Sequence, residues 1–256
     1  MDEELDLKKF DKNGNPLNLI QAGATKEQGF YYKRWLESGG TKFEPTAEDI
    51  KCELQLQALS AVEPLRFKFD MGLFNKEIAK YDGLWAPYLR REGTSNDREG
   101  LCLMGMPGDS YNDGLSMPEA QKRHGRKLDE VDFNSKTQLY HDLTSLHEML
   151  DFFQPLGRTM LIKTNAGGWF PPHKDRPVLT RDCFRIAAFL SRSAASDSYE
   201  WHMDNQYWHF QPGTAYYIDT RKTHRTHSWA NGSIHLIVNV PKTWENVIKL
   251  MSCTTV

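Results

Sequence analysis

Gly167-Gly168-Trp169-Phe170-Pro171-Pro172-His173-Lys174-Asp175 is the stretch on which the reading of this chain turns, and Ile218-Asp219-Thr220-Arg221-Lys222-Thr223-His224 answers it downstream. An imidazole and a carboxylate two residues apart on an extended segment point to the same side, so His173 and Asp175 can grip one cation together. A glycine pair, two prolines, the His-x-Asp triplet and then an apolar strand make the profile of a rigid loop delivering ligands at the mouth of a β-barrel.

Outward from that stretch the chain reads as strands. In 158–164, Met160 and Ile162 alternate with Thr159 and Leu161, and this segment begins a run of strands expected to continue to the end of the chain. The others are 184–190, 208–210, 215–218, 226–230 and 233–240. Gln211-Pro212-Gly213-Thr214 suits a type II turn, because proline presets one φ and glycine supplies the positive one. Asn231-Gly232 is the strongest short hairpin signal. Close strands with such turns predict an antiparallel barrel or double-sheet jelly roll, with helices on one outer side.

Upstream, Leu65, Phe67 and Phe69 alternate with Arg66 and Lys68, which predicts a strand over 65–69 and then a short helix over 71–81. An apolar strand is expected at 100–105. Residues 107–136, rich in Gly, Asp, Ser and Pro, suit a long surface loop. Leu143, Leu146, Leu150 and Phe153 fall on one face of an amphipathic helix over 143–153, with His141 and His147 as surface or capping residues. Residues 1–60 are charged and weakly periodic and read as an irregular or wrapping N-terminal extension; 61–256 read as one domain.

Composition narrows the function classes. With 32 basic and 34 acidic side chains and a formal net charge of −2, the 256 residues offer no electrostatic case for a nucleic-acid or membrane-surface partner. Cys52, Cys102, Cys183 and Cys253 lack the spacing of a zinc ribbon or a disulfide framework. No apolar leader follows Met1 and no apolar run approaches the length of a membrane span, so a cytoplasmic location is expected. Aromatic content is 12%. Tyr199, Trp201, Tyr207, Trp208 and Phe210 are expected to wall a pocket or pack in sheets.

The third ligand follows from side-chain parity. If Asn231-Gly232 closes a two-residue hairpin, His224, His235, Ile237 and Asn239 share one sheet face and His227 lies on the other with Leu236. The count favours His224, with His227 as the fallback should a bulge reverse it. Two histidines and one carboxylate, with the opposite positions open, is the facial arrangement that suits non-haem Fe(II).

Taken together, Gly-Gly-x-x-Pro-Pro-His-Lys-Asp, Phe184-Arg185-Ile186, Pro212-Gly213 before Tyr217-Ile218-Asp219-Thr220, the histidine five residues after Asp219, and Ile234-His235-Leu236-Ile237-Val238 resemble the aspartyl/asparaginyl β-hydroxylase group of Fe(II)/2-oxoglutarate dioxygenases, which includes proline hydroxylases. The resemblance covers roughly residues 60 to 245. It implies a mainly β, cupin-like double-stranded β-helix with flanking helices, and iron held by His173, Asp175 and His224. It further implies 2-oxoglutarate as cosubstrate and molecular oxygen as oxidant, with hydroxylation of an amino acid or of a residue in a peptide or protein.

The chain departs from the group at Ser233, where an arginine usually anchors the distal carboxylate of 2-oxoglutarate. A dicarboxylate in a dry pocket needs a buried cation. Arg185, among apolar neighbours and at a position where the group has a functional arginine, is the substitute expected here, ahead of Lys163, Arg221 and Arg225. His235 faces inward and either hydrogen-bonds the cosubstrate or is a satisfied core histidine. Arg98, Trp201 and Trp208 are candidate substrate contacts. Two other readings stand beside this one: a cupin-like metal enzyme that does not use 2-oxoglutarate, and a non-catalytic binding jelly roll with structural histidines.

Overall fold

The computed structural model describes residues 46–88, 98–175, 183–191 and 198–254. In chain order its elements are helix α1 (Ala47–Gln57), strand β1 (Val62–Lys68), helix α2 (Met71–Ile78), strands β2 (Ala86–Pro87), β3 (Arg98–Cys102) and β4 (Met104–Gly105), helix α3 (Met117–His124), strand β5 (Ser135–Lys136), and helices α4 (Gln138–Asp142) and α5 (His147–Phe153). Eight strands follow: β6 (Met160–Thr164), β7 (Trp169–His173), β8 (Cys183–Phe189), β9 (Tyr199–Met203), β10 (Gln206–Trp208), β11 (Thr214–Ile218), β12 (His224–Ser228) and β13 (Ser233–Pro241), and helix α6 (Trp244–Cys253) comes last.

From β6 to β13 the chain passes back and forth between two facing sheets, with β9 and β10 consecutive in the same one. One has seven strands in the order β1-β11-β8-β13-β6-β3-β2, the other four in the order β10-β9-β12-β7, and all their pairings are antiparallel. This is the cupin-like double-stranded β-helix, a jelly roll. The larger sheet is buried on both faces. On one, Leu161, Ile186, Leu236 and Val238 pack with Phe74, Phe153 and Leu250 of the flanking helices. On the other, Ala187, Phe189, Tyr216 and Ile237 meet Trp201 and Met203 of the smaller sheet and Phe210. That double burial is why the first eight residues of β13 are all buried, with Ser233, His235 and Asn239 as polar members of an otherwise apolar run.

The Gln211–Thr214 turn forms as expected: the Thr214 amide donates to the Gln211 carbonyl (3.1 Å) and Gly213 has φ 73°. A Cβ there would lie 3.0 Å from Met71 Cγ and 3.2 Å from the Phe69 carbonyl, so glycine is required on both counts.

The hairpin at Asn231-Gly232 does not form between paired strands. The segment turns, with Gly232 at φ 70°, but β12 pairs with β7 and β9 while β13 pairs with β6 and β8. It is a corner between sheets, tied down where the Ala166 amide donates to Asn231 Oδ1 (3.0 Å) and the Gly232 amide donates to Asn165 Oδ1 (3.1 Å). A turn signal reports that the chain reverses; the burial of two facing sheets decides which strands pair.

Other differences are of the same kind. Within 1–60 the described part is the regular helix α1, started by a Thr46/Asp49 capping box and buried at Cys52 and Leu56, while 1–45 lie outside the described residues. The predicted 107–136 loop contains α3, a 3-10 turn at Glu130–Asp132, and β5. The 143–153 helix begins as a 3-10 turn and becomes α5. The chain ends in α6 instead of a strand; Thr243 caps it, and Val247, Leu250 and Cys253 are buried. All four cysteines are buried and free.

Candidate metal centre

The smaller sheet places the first two candidate ligands side by side. His173 ends β7, His224 begins β12, and they are directly paired across the strands with ring centroids 4.1 Å apart. Asp175, two residues past β7, is pinned where its amide donates to the Thr220 carbonyl (2.9 Å), just beyond β11. One ligand atom from each of His173, Asp175 and His224 lies within 4.8 Å of the others. Asp175 and His224 are buried, whereas the His173 side chain is 26% exposed, so the centre opens on the His173 side.

Each imidazole is oriented by its own backbone. His173 Nδ1 lies 2.9 Å from the Pro171 carbonyl and His224 Nδ1 lies 3.0 Å from the Lys222 carbonyl. A carbonyl only accepts, so each Nδ1 carries a hydrogen, and with Nε2 deprotonated each ring would offer that lone pair to a cation. His173 Nε2 lies 3.8 Å from Asp175 Oδ1.

The second oxygen of Asp175, Oδ2, forms an ion pair with Arg185 Nη1 at 2.7 Å. Burial works against the charged carboxylate, but Arg185, with His224 and His173, outweighs it and holds Asp175 well below the usual carboxylate range. Arg185 also donates through Nε to Asn239 Oδ1 (2.9 Å), and Asn239 Nδ2 donates to Glu130 Oε2 (3.1 Å). Glu130 accepts from Arg158 Nη2 (2.7 Å) and Nε (3.0 Å). An alternating chain of charges and amides therefore runs from the candidate ligand into the protein.

Aromatic rings wall the space between the sheets. Trp201 lies nearly parallel to His224 (6.3 Å, 15°) and stacks on Phe210 (5.3 Å), while Phe170 meets His173 edge-on at 4.1 Å. Trp208 is half-buried against the same cluster, and Tyr207 is exposed. His227 sits on the outer face with its ring 4.1 Å from Trp229, away from the other candidate ligands.

His235 faces inward, buried beside Tyr199 at 4.1 Å. Burial, assisted by the charge of Arg98, holds its pKa down to about 3, so the ring is neutral. Ser233 is fully buried, and its Oγ accepts from Ser228 Oγ at 2.9 Å. Arg98 is also buried, its guanidinium 4.5 Å from the Phe170 ring and 5.2 Å from that of Tyr88.

No protein-family model matches this chain, and no curated protein matches it by sequence. The likenesses to solved structures are distant. A prolyl-4-hydroxylase from Pseudomonas putida is 13% identical over 72% of this chain and 94% of its own, with a TM-score of 0.40. An oxidoreductase of the 2OG-Fe(II) oxygenase family from Burkholderia pseudomallei is 15% identical, with coverage of 78% and 93% and a TM-score of 0.39. A KdgF structure from Halomonas sp. is 14% identical over 32% of this chain, with a TM-score of 0.26, and only 66% of its length is spanned. At these identities and TM-scores the likenesses carry no argument, and the fold rests on the strand order described above.

Proposed function

We propose that the protein is a non-haem Fe(II)- and 2-oxoglutarate-dependent hydroxylase acting on an amino acid, free or within a peptide or protein. The observation that carries this reading is the His173, Asp175 and His224 cluster, two imidazoles and one carboxylate converging at one end of a double-stranded β-helix. Nitrogen and oxygen donors in this number suit Fe(II) and leave positions for a chelating 2-oxo acid and for oxygen. Iron with 2-oxoglutarate would supply the oxidising power to insert one oxygen atom of O2 into a C–H bond while the cosubstrate becomes succinate and CO2.

The chain's own groups do the positioning. His173 and His224 would present Nε2 to the metal and the Asp175 carboxylate would offset part of its charge, while Arg185 fixes the Oδ2 side of that carboxylate. Trp201, Met203 and Phe210 exclude water from the space behind the ligands. Entry on the His173 side passes Phe170, with Trp208 as a candidate substrate contact.

The test is succinate release from 2-oxoglutarate by anaerobically Fe(II)-loaded protein on exposure to oxygen, with and without pools of amino acids and peptides. Turnover should require the metal, and His173→Ala or Asp175→Ala should abolish it with the fold intact. Retained activity in both variants would remove the site assignment. Absence of both succinate and 2-oxoglutarate binding would favour a cupin-like metal enzyme that uses no 2-oxo acid, the alternative that uncharged, hydrogen-bonded Ser233 supports.

A further inference from the structure

We infer that Arg98, on β3 outside the eight strands of the β-helix, is the cation that seats the distal carboxylate of the cosubstrate, doing from two strands away what Ser233 cannot; this rests on the reading proposed above. A carboxylate buried between two sheets needs a counter-charge, because a desolvated and unpaired anion is strongly penalised. Ser233 supplies none. Its buried hydroxyl is engaged with Ser228.

Strand register brings the missing charge to the same place. Ser233 is paired with Thr164, and Thr164 with Arg98, so the three form one row across β13, β6 and β3 on a common face. The adjacent row is His235, Ile162 and Gly100. Neighbouring strands lie about 4.8 Å apart, so Arg98 starts roughly 10 Å from Ser233, and its long side chain can cover much of that distance. It does not run to solvent: Arg98 is only 4% exposed. Its guanidinium lies over Phe170, the ring that touches His173. The charge is therefore one aromatic ring away from a candidate metal ligand.

The groups around this charge are those of an anion site. His235, 3% exposed and next to Arg98 in the field it feels, has no hydrogen-bond partner at either ring nitrogen. A neutral imidazole carries one N–H, which a carboxylate oxygen would accept. The buried hydroxyls of Tyr199 and Thr164 lie in the same region, and Arg98 also bears electrostatically on Tyr199. A guanidinium with an N–H and hydroxyls beside it makes a charge-assisted carboxylate site.

The cations that the sequence offered as anchors are engaged at other places. Arg185 is ion-paired with Asp175 and bonded to Asn239, which makes it a positioning residue for the candidate metal ligand. Lys163 pairs with Glu99, Arg221 with Asp219 and Glu53, and Arg225 donates to Tyr207.

The experiment is calorimetric titration of metal-loaded, oxygen-free protein with 2-oxoglutarate and with 2-oxobutyrate, which has the same chelating end but no distal carboxylate. Arg98→Gln should weaken 2-oxoglutarate binding by about 10- to 100-fold, the loss expected for a charge-assisted pair, and leave 2-oxobutyrate and metal affinity unchanged. Unchanged 2-oxoglutarate binding in Arg98→Gln, or a selective loss in Arg185→Gln instead, would overturn the assignment. If Arg98→Gln does not fold, Arg98→Lys is read in the same way, and equal weakening of both ligands by that variant would overturn it. Failure of the wild-type protein to bind either 2-oxo acid would count against the underlying hydroxylase reading, and so removes the basis of this one.

Discussion

Glu130 and Arg158 form an ion pair with side chains only 1% and 5% exposed, and the candidate metal centre leans on it through Asn239 and Arg185. Burial alone would raise the Glu130 pKa, but Arg158, helped by Arg185, reverses that and lowers it. A carboxyl depressed in the folded state stabilises the fold at pH above its unfolded pKa of about 4.3, and that contribution is lost as pH falls through the folded value. Glu130→Gln should cost about 3–5 kcal/mol at neutral pH, because it leaves Arg158 buried without a counter-charge. In urea titrations the gap between wild type and variant should narrow as the pH drops below about 4; a gap that stays constant into acid would refute this account. His173 and Asp175 were legible in the sequence because the two-residue spacing on extended backbone is itself geometry. The pair beneath them was not: Glu130 lies in a stretch that reads as surface loop, and its partner is 28 positions away.

Strand β13 shows how one element serves two interiors. Leu236 and Val238 face the helices, while His235 and Ile237 face the space between the sheets. Leu236→Ala should therefore lower stability by about 2–5 kcal/mol through the cavity it leaves, with metal affinity unchanged in a parallel titration. Equal damage to metal binding would show that the two faces are not independent. Most strands of this region were readable from alternation and turns, but two were not: β7, whose Pro171-Pro172 reads as a loop, and β9, since Tyr-Glu-Trp-His-Met lacks an aliphatic pattern. Helix α1 was hidden because it buries only Cys52 and Leu56. Helix α3 did carry a signal, Ser116-Met117-Pro118-Glu119, in which the Ser116 hydroxyl accepts from the Glu119 amide and proline occupies the first turn. The parity count put His224 and His235 on a common interior although the supposed hairpin is absent, because the inner faces of two facing sheets look at one another.

At the scale of the whole molecule, helices cover one face of the larger sheet and the smaller sheet covers the other, and among the described residues no helix packs on the outside of the smaller sheet. Trp169 is 38% and Tyr207 57% exposed there. No helix among the described residues is long and apolar enough to cross a membrane. A cation held by His173, Asp175 and His224 would tie β7 and the residues just past it to β12, so it binds the native state preferentially and should raise Tm, by the equivalent of about 2.7 kcal/mol at 100 times Kd. His224→Ala should abolish that rise. The near-parallel contact of Trp201 with His224 has a further consequence. An open-shell ion such as Fe(II) or Co(II) seated on that imidazole would drain the excited state of the neighbouring indole, whereas closed-shell Zn(II) would leave its glow almost untouched. Wild-type emission should dim in proportion to the sites filled, and Trp201→Phe should lose most of that response while still binding the ion. The fold thus carries its own lamp, and occupancy of the centre can be followed by light without adding a dye.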